Sequence, residues 1–188
     1  MEKQQPEEGL AATLRRRYGD PMPLAAAKVI DRLDVHCRTF IDHSPLVMLA
    51  TSNGHTLDVS PKGGDPGFIK VENDQTLLMP DYAGNNRIDG LINIAAEPQV
   101  ALVFFIPGVK ETLRVNGPAE VVLEFDTDPY PDLWDSVPKS VLRVRTREVM
   151  LHCGAALQHA SVWQPETWPR ERPIASLSRI VRDHAAIT

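Results

Sequence analysis

Short apolar segments separated by turn-forming residues run through most of the chain. Residues 46–50 form a continuous apolar run fit for a buried strand, and Asn53-Gly54, a sequence typical of a two-residue hairpin, leads into residues 55–60. Further runs of strand type occupy residues 68–71, 76–79, 100–106, 112–115, 119–125 and 141–151, with Pro-Gly and Gly-Pro pairs between some of them. Short strands at regular intervals with few helices predict a mainly β domain, an antiparallel barrel that is closed or nearly closed.

Apolar positions at helical spacing predict helices in three places. Residues 24–43 fit one or two helical pieces, and residues 152–162 fit another. Between them, the spacing of Ile88, Leu91 and Ala95 predicts a short amphipathic helix. We expect this helix to begin at Asn85 or Asn86, either of which can cap it, and to end before residue 98, a proline.

The start of this short helix carries candidate chemistry. A helix N terminus has unpaired N–H groups and a partial positive charge, so a cation there is unfavourable unless an anion offsets it. Arg87 in the predicted first turn therefore suggests a bound phosphate. The alternative is that Arg87 extends into solvent or pairs with an acidic neighbour such as Asp89.

Two strands carry polar faces that could complete such a site. Alternation puts Asp58, Ser60 and Lys62 on one face of their strand, and Pro61 marks an edge or an end because it cannot donate to a ladder. The strand at 112–115 has a second polar face, made up of Thr112, Arg114 and Asn116. The strand at 141–151 has a third, made up of Arg143, Arg145 and Arg147, for which solvent or a subunit contact is the expected environment.

In their order and spacing, three segments resemble the pyridoxamine 5′-phosphate oxidase-like superfamily of FMN-binding split barrels. They read DVSPKGG (58–64), LLMPDYAGNNRIDGLINIAAEPQVALVFFIPG (77–108) and ETLRVNG (111–117), and the resemblance extends over residues 29–163. It implies a split barrel and a homodimer with FMN at the subunit interface. By this resemblance, Asn85, Asn86 and Arg87 bind the phosphate, and the strand containing Ser60 and Lys62 lines the isoalloxazine ring. The full set of residues expected to contact the cofactor is Asp58, Val59, Ser60, Pro61, Lys62, Pro80, Asp81, Asn85, Asn86, Arg87, Thr112 and Arg114.

The chain also differs from the family that it resembles. Authentic pyridoxamine phosphate oxidases carry Ser-Arg-Lys where this chain has Asn85-Asn86-Arg87. Their arginine-rich C-terminal signature is not intact here either, so oxidation of vitamin B6 is not the predicted reaction. The predicted function is an FMN-dependent oxidoreductase for an unidentified small molecule, without an assigned catalytic residue; Lys62 is the candidate cation near the flavin N1 and O2 atoms. A flavin carrier or sensor without turnover, and binding of a deazaflavin in the same groove, are the alternatives.

The composition limits the classes of binding partner and the cellular compartment that we expect. With 188 residues and 43% hydrophobic content, the chain is most simply one domain over residues 24–188, preceded by a polar arm over residues 1–23. A net charge of −5 argues against nucleic-acid binding, and no apolar run is long enough to suggest a membrane span. Two cysteines, Cys37 and Cys153, are expected to be buried thiols in a cytoplasmic protein. The histidines fit no metal motif, so no metal site is predicted.

Overall fold

Antiparallel strands form the framework of the part of the chain that the computed structural model describes, residues 9–124 and 133–187. They are β1 (Leu46–Ser52), β2 (Leu57–Gly63), β3 (Lys70–Asn73), β4 (Thr76–Asp81), β5 (Gln99–Phe105), β6 (Thr112–Val122), β7 (Ser140–Arg145) and β8 (Glu148–His152). The order in the 8-stranded sheet is β2-β1-β5-β6-β7-β4-β3, and β8 pairs with β6. The mainly β, antiparallel split-barrel prediction is confirmed. Within the described residues, β2 and β3 are the two end strands and do not pair with each other, so the sheet is open rather than closed.

The helices lie at the periphery of this sheet, as expected. They are α1 (Leu10–Tyr18), α2 (Pro23–Ala27), α3 (Val35–His43), α4 (Asp89–Ala96), α5 (Ala155–His159) and α6 (Leu177–Ala185). One or two helical pieces were predicted within residues 24–43, and the structure has two, α3 and α2, of which α2 begins one residue earlier. The helix predicted over residues 152–162 is shorter, because His152 is the last residue of β8. The division into an arm and a single domain stays a prediction, and residues 1–8 of that arm lie outside the described residues.

β6 joins the two halves of the sheet, and it is one strand where the sequence predicted two. Residues 112–115 and 119–125 were expected as separate strands, but β6 is continuous from Thr112 to Val122, while Phe125 lies outside the described residues. Its first part pairs with β5 and β8, and its last part pairs with β7. At Gly117, where the partners change, the carbonyl group of Arg145 comes so close that a Cβ atom would overlap it. The glycine is thus required by close backbone approach and not by a turn.

The prediction of one strand over residues 141–151 is also wrong, because this segment forms two strands, β7 and β8. The backbone N–H of Thr146 donates to Gln75 and that of Arg147 donates to Asn116, so the chain changes partners between the two strands. Arg147 therefore does not share a strand with Arg143. The guanidinium group of Arg143 pairs with Glu72 at 2.8 Å and with Glu120 at 3.7 Å.

The core lies between the two halves of the sheet and beneath α3 and α4. Its largest fully buried side chains include Phe104, Leu33, Ile41, Leu49, Ile69, Leu77, Met79, Leu102, Leu113 and Leu142. β1 alternates between buried and half-buried residues, so one of its faces belongs to this core and the other faces away from it. The loop between β1 and β2 spans residues 53–56, longer than the two residues predicted, because the Asn53 side chain accepts hydrogen bonds from the N–H groups of His55 and Thr56.

α3 shows how local and long-range signals combine. Asp34 caps it by accepting a hydrogen bond from the Cys37 N–H at 2.9 Å, and this bond lowers the pKa of the Asp34 carboxyl. Cys37 is buried, as predicted. The same prediction is wrong for Cys153, which is exposed in the turn between β8 and α5. No helix within residues 9–124 and 133–187 has the length and apolar character needed to cross a membrane.

Candidate functional site

A groove with a volume of about 380 Å³ lies between β2, the end of β4 and the start of α4. α4 packs on β1, β2 and β6, and the buried amide of Asn93 donates to the Thr51 hydroxyl at 3.1 Å, which fixes the helix against β1. The residues that line the groove are Leu49, Asp58, Ser60, Pro61, Lys62, Asp81, Asn85, Arg87, Ile88, Asp89, Gly90 and Leu91.

β2 supplies one wall of the groove. It ends the strand order in the described sheet, which confirms that Pro61 marks an edge, where its missing N–H is tolerated. Ser60 pairs with Leu49 of β1, so it lies on the core-facing side of the sheet. Asp58 and Lys62 share this face by alternation, as predicted, and the Ser60 hydroxyl donates to the Asp58 carboxylate at 2.8 Å.

An ion pair connects β2 with the end of β4. The Lys62 ammonium donates to the Asp81 carboxylate at 2.7 Å, and both side chains are largely buried, with exposed fractions of 30% and 20%. A partly buried pair at this distance is stronger than an exposed one, since water screens it less. The pair therefore fixes Lys62 at one end of the groove.

The turn before α4 forms the other end. Asn85 accepts a hydrogen bond from the Arg87 N–H at 3.0 Å, and Asn86 has a left-handed backbone with φ of 61°. The prediction that α4 begins at Asn85 or Asn86 is wrong, because these two residues complete a turn and the helix begins at Asp89. The N-cap position is occupied by Ile88, which offers no side-chain acceptor. The N–H groups of the first helical turn therefore have no side-chain cap.

Arg87 pairs with Asp89, which was one of the alternatives considered from the sequence. Its guanidinium group lies 3.0 Å from the Asp89 carboxylate, and the two side chains are 78% and 53% exposed. Since α4 begins at Asp89, Arg87 lies before the helix rather than in its first turn. An ion pair this exposed stabilises the protein by less than about 1 kcal/mol.

The structure brings only part of the predicted set to the groove. The predicted residues that line it are Asp58, Ser60, Pro61, Lys62, Asp81, Asn85 and Arg87; those that do not are Val59, Pro80, Asn86, Thr112 and Arg114. Pro80 is buried in β4, and Asn86 lies in the adjoining turn. Among the lining residues that the sequence did not single out is Gly90, where a Cβ atom would come within 3.4 Å of the Asp58 carboxylate. A glycine in the first turn of a helix was the available signal.

Thr112 and Arg114 belong to the other side of the sheet. Across the paired strands, Arg114 is level with Val103, Met48 and Pro61. We call this side of β2, β1, β5, β6 and β8 the outer face, and it consists of Leu57, Val59, Pro61, Met48, Ala50, Ala101, Val103, Phe105, Thr112, Arg114, Asn116, Glu148 and Met150. The Asn116 amide donates to Glu148 at 3.0 Å, and Arg114 lies 3.9 Å from the same carboxylate.

Comparison with known proteins assigns the family. Residues 33–153 match the family described as pyridoxamine 5′-phosphate oxidase. The chain belongs to this family. The matched residues include every residue that lines the groove, so the groove is part of the shared domain. Among curated protein sequences, none matches the chain.

Two solved structures are similar to this family member at low sequence identity. A HupZ variant from Group A Streptococcus superposes with a TM-score of 0.51 and 18% identity, covering 64% of this chain and 99% of that chain. The FAD binding protein from Mycobacterium smegmatis has a TM-score of 0.46 and 17% identity, covering 65% of this chain and 97% of that chain. The first likeness supports the split-barrel fold.

Proposed function

We propose that the groove binds FMN and that the protein is a flavin-dependent oxidoreductase acting on a small molecule. The observation that carries the proposal is the combination, in one groove of a pyridoxamine 5′-phosphate oxidase family member, of a polar strand face and a helix start without a side-chain cap. The groove volume of about 380 Å³ lies within the usual range of about 300–1,000 Å³ for small-molecule sites.

The phosphate of FMN fits the turn before α4. Asn85, Arg87 and the free N–H groups of the first turn of α4 are hydrogen-bond donors of the kind that hold phosphates. To bind the phosphate, Arg87 has to break its ion pair with Asp89 and form a new one with the phosphate. The exposed pair with Asp89 contributes less than about 1 kcal/mol, whereas a charge-assisted hydrogen bond contributes about 1.5–3 kcal/mol, so the exchange is favourable.

The ring of FMN fits the face of β2 that carries Ser60 and Lys62. The bound flavin would supply the hydride or electron chemistry, and the protein would bind and orient it. Lys62, held by Asp81, is the residue that we propose as the cation beside the ring. The groove offers one phosphate-binding turn, which favours FMN over the longer FAD.

A second copy of the chain would complete the site. The outer face exposes apolar side chains, with Leu57 83% and Val59 61% exposed on the edge strand β2. We propose that this face forms a homodimer, in which each subunit buries the same residues across a two-fold axis. Thr112 and Arg114 belong to the outer face, so the dimer offers a way for them to reach the flavin of the neighbouring subunit.

Substitution of Arg87 tests the phosphate assignment. Arg87→Ala is expected to weaken FMN binding by about 1.5–3 kcal/mol, because it removes a charge-assisted hydrogen bond, while the thermal transition of the apoprotein stays nearly unchanged. Arg145→Ala is the matched control, since Arg145 is exposed on β7 and does not line the groove. Titration calorimetry with FMN and FAD measures both variants. Unchanged FMN affinity in Arg87→Ala, or FAD binding as tightly as FMN to the wild type, contradicts the proposal.

Turnover needs a separate measurement. Cofactor extraction with mass spectrometry identifies the bound species and distinguishes FMN from a deazaflavin. Bleaching of the flavin absorbance by NADH or NADPH supports an oxidoreductase. A flavin that stays oxidised with every reductant tried supports the carrier or sensor function instead.

A further inference from the structure

A cavity with a volume of about 530 Å³ lies at the opposite end of β4 from the proposed flavin groove. The groove is lined by Asp81, the last residue of β4, whereas this cavity is lined by Thr76, the first residue of the same strand. Along an extended strand, the five steps from Thr76 to Asp81 span about 17 Å. The proposed flavin function therefore makes no use of this cavity.

Backbone contacts hold the walls of the cavity in place. The Asn73 side chain accepts a hydrogen bond from the Gln75 N–H at 2.9 Å, which fixes the turn between β3 and β4. The Thr146 N–H donates to the Gln75 carbonyl at 2.9 Å and ties this turn to the end of β7. On the other side, the Arg145 carbonyl group lies directly against Gly117 of β6. The fold itself thus forms the cavity, whose volume lies in the usual range of about 300–1,000 Å³ for small-molecule sites.

The charged side chains of the lining are Glu120, Arg143 and Arg145, and they differ in their ionic contacts. The Arg143 guanidinium group donates to the Glu72 carboxylate at 2.8 Å, and the Glu72 side chain is only 16% exposed, so this pair offsets the charge of Arg143. Glu120 lies 3.7 Å from Arg143, and its side chain is 65% exposed. Arg145 is exposed and forms no ion pair with a carboxylate among the described residues. One carboxylate and one guanidinium group therefore remain available for a ligand.

The strand register places these two groups on either side of one space. Glu120 of β6 is level with Arg143 of β7, and Arg145 lies two residues further along β7 on the same face. Diagonal neighbours of this kind have Cα atoms about 7–8 Å apart. Across β4, Arg145 is level with Thr76, which carries no charge. Opposite charges thus flank the cavity without pairing with each other, and a ligand that carries both charges complements them.

We propose that this cavity binds a free α-amino acid with a small apolar side chain. The carboxylate of the amino acid pairs with the Arg145 guanidinium group, which can donate two parallel hydrogen bonds to it. The ammonium group pairs with the Glu120 carboxylate. Both charged groups of an α-amino acid are attached to one carbon atom, a spacing that fits between diagonal neighbours. Pro118 and Ala119 provide the apolar wall for the side chain.

Three probes with the same side chain and different charge test the site. They are L-valine, N-acetyl-L-valine, which keeps only the negative charge, and L-valinamide, which keeps only the positive charge. Each is titrated against the protein while the backbone amide NMR signals of Gln75 and Glu120 are followed. We expect L-valine to bind about threefold to fivefold more tightly than either relative, since each relative loses one ion pair of the exposed kind.

Two charge-removing variants assign the two ends of the ligand. Arg145→Gln is expected to lower the affinity for L-valine about threefold to fivefold and to leave the affinity for L-valinamide unchanged, because only the carboxylate loses its partner. Glu120→Gln is expected to do the same to L-valine and to leave N-acetyl-L-valine unchanged. This crossed pattern separates charge recognition from a general loss of the cavity. Arg182→Gln is the control, because Arg182 is exposed on α6 and does not line the cavity.

The outcome does not depend on the flavin. Saturable L-valine binding with the crossed pattern supports the site, whether or not the protein takes up FMN. A wild-type protein in which L-valine binds no more tightly than N-acetyl-L-valine or L-valinamide overturns the proposal. It is also overturned if no probe binds saturably, or if Arg145→Gln retains the wild-type affinity for L-valine.

Discussion

At the scale of single residues, the groove is a set of charges that already have partners. Lys62 is paired with Asp81 in a largely buried contact, and Arg87 is paired with Asp89 in an exposed one. The difference in exposure gives the two cations different roles. Lys62 is held where it is, whereas Arg87 can leave its carboxylate at low cost in free energy. Asp89 is therefore a competitor of any anion that binds at the start of α4.

Removing this competitor is expected to strengthen FMN binding. In Asp89→Asn, Arg87 loses its ion-pair partner and the groove loses a negative charge, so we expect the FMN affinity to rise by up to about 1 kcal/mol. The helix start should be slightly less stable, by about 0.3–1 kcal/mol, because an acidic residue there favours the helix dipole. Calorimetric titration with FMN measures the first effect and thermal unfolding of the apoprotein the second. Asp183→Asn, in the exposed pair with Arg179 on α6, is the control. Weaker FMN binding in Asp89→Asn would show that Asp89 assists binding rather than competing.

The two cysteines are expected to differ in reactivity because they differ in burial. Burial raises the pKa of the Cys37 thiol to about 11, so at pH 8 only about one in a thousand molecules carries the thiolate there, whereas Cys153 is exposed. A thiol reagent at pH 8 should label one cysteine quickly and the second only after unfolding. Cys153→Ser should abolish the fast phase. Rapid labelling of both cysteines in the folded protein would show that α3 opens readily.

At the scale of elements, the local pattern predicted which segments form strands but not where the strands change partners. Gly117-Pro118 looks like a break between strands, yet β6 continues through it because the carbonyl group of Arg145 needs the space of a missing side chain. The division between β7 and β8 also follows from pairing with distant strands. Asn85 and Asn86 are good capping residues in isolation. Because Asn86 has a left-handed backbone, however, the helix begins only at Asp89.

The candidate site was also predictable only in part. Alternation correctly placed Asp58, Ser60 and Lys62 on one face. Alternation cannot tell which side of the sheet borders a groove, so it gave no warning that Arg114 lies on the outer face.

The role of β6 can be tested at Gly117. In Gly117→Ala, the added Cβ atom overlaps the Arg145 carbonyl group, so we expect the free energy of unfolding to fall by about 1–3 kcal/mol. Gly9→Ala is the matched control, because a Cβ atom at Gly9 meets nothing within 4 Å. Urea denaturation measures both variants. Equal stability of Gly117→Ala and the wild type would mean that the two halves of the sheet separate easily at this point.

At the scale of the whole molecule, the outer face exposes the apolar side chains of Leu57 and Val59 on the edge strand β2. This strand also forms one wall of the groove, so a subunit placed on the outer face would lie next to a flavin if the groove binds one, as proposed. Assembly and cofactor binding are then linked: FMN that contacts both chains binds the dimer more tightly than the monomer, and it shifts dissociation of the dimer to lower protein concentration.

This linkage predicts that a change on the outer face weakens FMN binding without touching the groove. Val59 is 61% exposed on the outer face and does not line the groove of its own chain, so Val59→Lys is expected to favour the monomer and to lower the FMN affinity together. Val35→Lys, at a residue that is 67% exposed on α3, is the control and should change neither. Sedimentation at several protein concentrations, with and without FMN, measures the assembly. A wild-type protein that stays monomeric at micromolar concentration while holding stoichiometric FMN would overturn both the dimer and the shared site, because every contact to the flavin would then have to come from one chain.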